Sequence, residues 1–247
     1  MPSQTHTSEI SNRHSALSSV YAYLEKPSMV DYPKHFAAVF FISGCGFTCG
    51  FCHNAVLMGK KQEGLSWENL EAACDKFKKE WVNGVVITGG EPTSADNLPE
   101  LIRFFKERFG FAVKLDTNGS NPERLSECLP LVDYVAMDIK CGLPAYPEFV
   151  KFPAIGKIQQ SIDLVRAEAK DYEFRTTVIE TIHTDEQMAE ICNTVKGSKR
   201  YVLQAFIPRD ELPEEQYRNA PRTTSARLHE LKGLMAGCAD EILLRGA

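Results

Sequence analysis

Three cysteines crowd into eight residues: Cys45, Cys49 and Cys52, in the run Gly44-Cys-Gly-Phe-Thr-Cys-Gly-Phe-Cys-His-Asn54. Thiolates at C-x3-C-x2-C spacing can turn inward on a soft metal centre, and the flanking glycines let the backbone curl around it. A structural zinc site would be closed by four ligands. The nearest fourth candidate is His53, adjacent to Cys52 and poorly placed to join the same tetrahedron. No second cysteine pair stands elsewhere at zinc-ribbon spacing. Three ligands without a fourth point to an iron–sulfur cluster with one iron left open, with structural zinc and reactive thiols as the alternatives.

Three further polar clusters follow: Gly89-Gly90-Glu91-Pro92, Asp116-Thr117-Asn118 and Asp138-Ile139-Lys140. Each comes directly after an apolar run that reads as a buried strand, Val85–Thr88, Ala112–Asp116 and Tyr134–Asp138, just as the cysteines follow Phe36–Ile42. Helical spacing lies between these runs, over 66–80, 97–109 and 122–128. The alternation continues with helices at 157–169, 185–195 and 224–236 and strands at 173–179, 201–206 and 241–244. Strands alternating with helices predict an α/β fold with a parallel sheet, either doubly wound or a complete or partial barrel. In such folds ligands bind at the C-terminal ends of the strands, where all four clusters fall. A polar tail over 1–20 and one domain over 21–247 are expected, with no repeat and no Gly/Ser linker.

The chain has 247 residues, 43% hydrophobic and 25% charged, which is ordinary globular composition. No apolar run reaches the length of a membrane span. A net charge of −5, from 28 basic and 33 acidic residues, gives no basic field for nucleic acid. The first residues carry no basic segment followed by an apolar stretch, so no secretory signal is read and a cytoplasmic location is expected. Disulfides are rare there, which strengthens the metal reading of the clustered thiols.

The cysteine run, with Phe51 before the third cysteine, resembles the signature of the radical S-adenosylmethionine superfamily. In that family three cysteines hold one 4Fe-4S cluster, and the amino and carboxylate groups of S-adenosylmethionine chelate the fourth iron. Gly89-Gly90-Glu91-Pro92 resembles the family's GGEP motif; its glycines leave open backbone for the methionine amino group, and Glu91 adds an acceptor for a cation. From about Leu24 to Arg245 the chain looks like the activating enzymes of glycyl radical enzymes, through Leu115–Gly119, Val132–Lys140 and Arg175–Val178. The strongest likeness is to the small activase of the anaerobic ribonucleotide reductase.

This resemblance implies a single-domain partial (β/α)6 barrel. It implies that Cys45, Cys49 and Cys52 hold the cluster, and that Phe51, Gly89, Gly90, Glu91, Asp116, Thr117, Asn118, Asp138, Lys140 and Arg175 surround the cofactors. Asp138 and Lys140 would contact the ribose and carboxylate of S-adenosylmethionine, and Arg175 its carboxylate or ribose. Asp116, Thr117 and the Met137 carbonyl match positions that bind a monovalent cation in the pyruvate formate-lyase activase. The implied chemistry is reductive cleavage to methionine and a 5′-deoxyadenosyl radical, which takes a hydrogen atom from a backbone glycine of a partner enzyme. The electron would come from a donor such as flavodoxin or ferredoxin. The 36 residues between Cys52 and Gly89 leave no room for the ferredoxin-like insertion of some activases. The C-terminal third lacks the extra cysteine motif of peptide-modifying relatives.

Competing readings stand beside this one: the activase of another glycyl radical enzyme, a radical enzyme acting on a small molecule, such as a carboxy-deazaguanine synthase, and an iron–sulfur carrier or zinc-stabilised scaffold. Among the remaining cysteines, Cys74, Cys128, Cys192 and Cys238 are expected to pack in the core. Cys141, next to Lys140, is expected to pack as well, with a role near substrate as the alternative. His183 and His229 are expected at the surface or as caps. The charged stretch starting at Arg209 reads as a solvated loop or, being on the active rim, a docking surface.

Overall fold

Val85–Ile87 can be apolar on both faces because the sheet that holds them is covered twice, by helices outside and by a second apolar layer inside. A computed structural model describes residues 17–247, so the expected tail lies outside the described residues up to residue 16. Eight strands form one sheet in strictly sequential order. They are β1 (Val20–Tyr23), β2 (Ala37–Ile42), β3 (Gly84–Gly89), β4 (Ala112–Thr117), β5 (Tyr134–Asp138), β6 (Tyr172–Val178), β7 (Ser198–Ala205) and β8 (Ala239–Arg245). Strands β2 to β8 run parallel. Among the described residues six helices of more than one turn connect them: α1 (Trp67–Lys79), α2 (Leu98–Arg103), α3 (Pro122–Cys128), α4 (Ile155–Glu168), α5 (Asp185–Val195) and α6 (Ser225–Leu234), with single helical turns at Tyr146–Phe149 and Glu215–Arg218.

The six expected βα units are therefore β2–α1 through β7–α6, and β8 adds a seventh parallel strand. Strand β8 pairs with β7 and β1 with β2, so the curved sheet stays open between its two edges. Strand β1 runs antiparallel to β2. It was not expected, because four residues, one buried and three half-buried, give no alternation to read.

Local chemistry sets the helix boundaries. Ser66, Thr184 and Thr224 each accept a backbone N–H from the first turn of the helix that follows, and Asn121 does the same for α3. The predicted helix over 97–109 is α2 followed by a π-helical turn, Phe104–Arg108, which packs Phe105 into the core. Among the described residues no helix is long and apolar enough to cross a membrane.

Two expectations about the core are corrected. Cys192 and Cys238 do not simply pack; they form a disulfide joining α5 to the segment before β8. His183 is fully buried rather than at the surface. Its Nδ1 accepts the Ile179 N–H (2.9 Å) and its Nε2 lies 2.9 Å from the Lys140 carbonyl, so the segment after β6 is tied to the segment after β5. Cys74, Cys128 and Cys141 are buried as expected.

Candidate active site

The three cysteines and the ten residues expected around the cofactors all line one cavity of about 280 Å³ at the C-terminal ends of the parallel strands, whereas Met137 is not part of its wall. Cys45, Cys49, Phe51 and Cys52 come from the loop after β2. Gly89, Gly90 and Glu91 end β3; Asp116, Thr117 and Asn118 end β4; Asp138 and Lys140 end β5; Arg175 lies within β6. The same cavity adds residues that motif reading missed, among them Asp31, Thr177 and Gln204. Thr177 and Gln204 occupy partnered positions of β6 and β7, a relation the sequence does not carry.

The cysteine loop is held by its surroundings. Gly44 adopts φ +91°, and its N–H donates to the Leu57 carbonyl (2.9 Å). The Asn118 amide reaches the Cys45 sulfur at 3.5 Å, and the Phe47 N–H reaches it at 3.4 Å. Phe51 stacks on Phe149 at 5.1 Å and meets the edge of Tyr217 at 5.6 Å. Tyr217 belongs to the charged segment after β7. There Leu212 is buried and the Glu214 N–H donates to the Gly50 carbonyl (3.1 Å), so this segment walls in the cysteine loop. A side chain at Gly50 would collide with Glu214. His53 turns away from the sulfurs, its Nε2 2.8 Å from the Ile207 carbonyl.

The end of β3 threads under this loop. Gly89 has φ +123°, and a Cβ there would strike the Ile42 backbone. The N–H groups of Gly90 and Glu91 donate to Ile42 and Gly44. Glu91, expected as an acceptor for a cation, is instead saturated by protein donors. Its Oε1 accepts from the Thr93 N–H and hydroxyl and from the Thr117 hydroxyl (2.8 Å), and its Oε2 from the Asn118 N–H (2.6 Å). Burial raises the Glu91 pKa, and these bonds oppose that shift. Glu91 thus acts as a brace between the ends of β3 and β4.

Opposite the thiols runs an alternating chain of charge. Lys140 Nζ donates to Asp138 Oδ2 (2.8 Å), and Arg175 Nε bonds the other oxygen of Asp138. Arg175 Nη2 reaches Asp116 Oδ2 (3.1 Å), and buried Lys114 bonds Asp116 Oδ1. Burial alone would neutralise Asp138, but Arg175 and Lys140 outweigh it and hold the carboxyl below the usual carboxylate range. Asp116 is held down in the same way by Arg175 and Lys114. Burial pulls the Lys114 ammonium below the ordinary lysine value while Asp116 pushes back. Within this chain three cations thus face two carboxylates, while Glu91 and Asp31 add acidic groups elsewhere on the cavity wall. Lys114 was also missed; the available signal was its place two residues before Asp116, on the same strand face.

Burial raises the Cys45 thiol to about 11 and the Cys49 thiol to about 12, and raises Cys52 as well. Three thiols in such surroundings become thiolates only against a cationic centre, and they are free cysteines directed at a common cavity. Among the described residues no three His, Cys, Asp or Glu side chains converge tightly enough to hold a single metal ion. Three cysteines with His53 turned to the Ile207 carbonyl suit a cluster that takes each thiolate on a separate iron better than they suit one zinc ion closed by four ligands. The donor set therefore fits a 4Fe-4S group with a charged organic ligand opposite it.

Comparison with known proteins agrees with this geometry. Over 226 residues the chain is 36% identical to a Methanocaldococcus jannaschii protein, MJ1227, provisionally described as a glycyl-radical enzyme activating enzyme, covering 88% of this chain and 92% of the relative. It is 30% identical over 148 residues to the 7-carboxy-7-deazaguanine synthase of Thermococcus kodakarensis, covering 57% of this chain and 56% of that one. The fold matches that of Streptococcus suis SuiB bound to its precursor peptide SuiA, with a TM-score of 0.63 at 15% identity over 85% of this chain and 48% of SuiB. Residues 39–196, from within β2 to the end of α5, match the model of the Radical SAM superfamily, and the chain belongs to that superfamily.

Proposed function

We propose that this protein activates a glycyl radical enzyme. It cleaves S-adenosylmethionine reductively and takes a hydrogen atom from a backbone glycine of its partner. The observation that carries this reading is the likeness to MJ1227, which spans nearly all of both chains. The open edge-to-edge sheet supports it, since the cavity lies at the rim of a barrel that does not close. The partner is the anaerobic ribonucleotide reductase and the electron donor a flavodoxin or ferredoxin, all in the cytoplasm.

In this reading Cys45, Cys49 and Cys52 hold the 4Fe-4S cluster, which when reduced supplies one low-potential electron. The strand end at Gly89 and Gly90 receives the methionine portion. Lys140, Asp138 and Arg175 bind the carboxylate and ribose, while Phe51 and Asn118 shape the wall beside the sulfurs. The protein contributes binding, orientation and exclusion of water rather than a general acid or base.

The test is anaerobic: reduce the reconstituted protein, add S-adenosylmethionine and the reductase, and record the electron paramagnetic resonance spectrum. A glycyl doublet on the reductase is the expected result. The 30% identity to a 7-carboxy-7-deazaguanine synthase favours a second reading, a small-molecule substrate. Deoxyadenosine formed without a doublet on any glycyl radical enzyme would turn the assignment to it.

A further inference from the structure

The resemblance to the pyruvate formate-lyase activase led to an expected alkali cation held by Asp116, Thr117 and the Met137 carbonyl. Neither of the two side chains in that set is free for one. Lys114 bonds one oxygen of Asp116, and Arg175 lies 3.1 Å from the other. The Thr117 hydroxyl donates to Glu91 (2.8 Å), and its oxygen accepts the Gly119 N–H (3.1 Å). The neighbouring carboxylate, Asp138, is likewise bonded on both oxygens, by Arg175 and Lys140. A free cation would be a fourth positive charge beside two carboxylates that already face three.

We propose that the Lys114 ammonium is a built-in monovalent cation, which completes the Asp116 site and lets the pocket bind its ligand without an alkali ion. The placement follows from strand geometry. Lys114 and Asp116 point to the same face of β4, and the long side chain of Lys114 is buried along the barrel interior with its charged end on Asp116. Lys114 is a positioning residue: it fixes Asp116, Asp116 helps fix Arg175, and Arg175 fixes Asp138. The consequence for ligand affinity rests on the assignment of the pocket to S-adenosylmethionine; the ion test does not.

The test uses the cluster-loaded, full-length protein, with thallium(I) as the alkali-ion probe followed by thallium nuclear magnetic resonance. Wild type is expected to show no saturable thallium site, and Lys114→Met to gain one. Lys114→Arg, which keeps the charge, should stay without one. A saturable site in wild type that Asp116→Asn abolishes would overturn the proposal, even if Lys114→Met fails to fold. S-Adenosylmethionine affinity is then measured by calorimetry in tetramethylammonium chloride and in potassium chloride. Wild type should bind equally in both. Lys114→Met should lose about tenfold or more in the first and recover in the second, the size expected for a lost charged hydrogen bond. Potassium-dependent binding by wild type would overturn the proposal. Absence of binding in either salt would refute the cofactor assignment, while the thallium result would still decide the role of Lys114.

Discussion

The barrel interior is polar at both ends, and the two ends keep their charge differently. Near the N-terminal ends of β5 to β7, buried Glu173 accepts both terminal nitrogens of Arg245 (2.6 and 2.7 Å), which comes from the end of β8, and the Tyr134 hydroxyl (2.8 Å). Arg200 beside it donates to the Tyr134 hydroxyl (2.9 Å), the Tyr172 carbonyl (3.0 Å) and Glu241 (3.1 Å). Each of these carboxylates is paired with a guanidinium group, Glu173 with Arg245 and both Asp171 and Glu241 with Arg200. At the other end, a chain of two carboxylates and three cations faces three cysteines that form no disulfide. The cavity at the paired end is the larger, about 470 Å³ against 280 Å³. Neither size nor buried polarity therefore marks the site. Unspent valence does: donors that the fold leaves open.

The comparison can be broken first at the thiols. Cys45→Ala, Cys49→Ala and Cys52→Ala should each abolish deoxyadenosine formation, read by chromatography after reduction. Retained cleavage in any one would remove that residue from the cluster. At the paired end, Arg245→Met should leave Glu173 buried and unpaired, at a cost of about 3–5 kcal/mol of stability in urea unfolding. S-Adenosylmethionine affinity of the folded protein should not change. A large loss of affinity with little loss of stability would mean that the two ends are one site.

Asp138→Asn probes the end that carries the thiols. It should weaken S-adenosylmethionine binding by calorimetry while leaving iron content intact; loss of iron would contradict its assigned role. The pH dependence has a definite sign. A carboxyl held below its unfolded value, near 3.9, stabilises the fold at all pH above that value, and the stabilisation fades as pH falls through the depressed folded pKa. The stability gap between wild type and Asp138→Asn should thus be flat from neutral pH to about 4 and shrink below it. The smallest effect is expected for His183→Gln, which loosens the Lys140 carbonyl. A weakening of ligand binding by about 1–2 kcal/mol, with an unchanged optical spectrum of the cluster, would fit the loss of one buried hydrogen bond.

Much of this arrangement was legible because buried parallel strands are written as unbroken apolar runs, as in Val85–Thr88 and Tyr134–Asp138. The rim clusters could be read because each is local to one strand end. What could not be read depends on contacts across the sheet. Lys114 looks like an ordinary strand lysine until Asp116 and Arg175 close around it. His183 matters through the Lys140 carbonyl, 43 residues away, and Cys192 finds Cys238 across 46. The charged segment after β7 reads as solvent-facing, yet Leu212 and Tyr217 turn it into a wall over Phe51.

The strictly sequential strand order also has a consequence for biosynthesis. Each strand pairs only with its neighbours in the chain, so the sheet can grow strand by strand as the chain leaves the ribosome, N-terminal units first. The cysteine loop follows β2, whereas Arg175 arrives with β6 and the wall of Leu212 and Tyr217 only after β7. A half-made chain therefore displays its three thiols in the open, and the cover that later shields them is among the last parts to be synthesised.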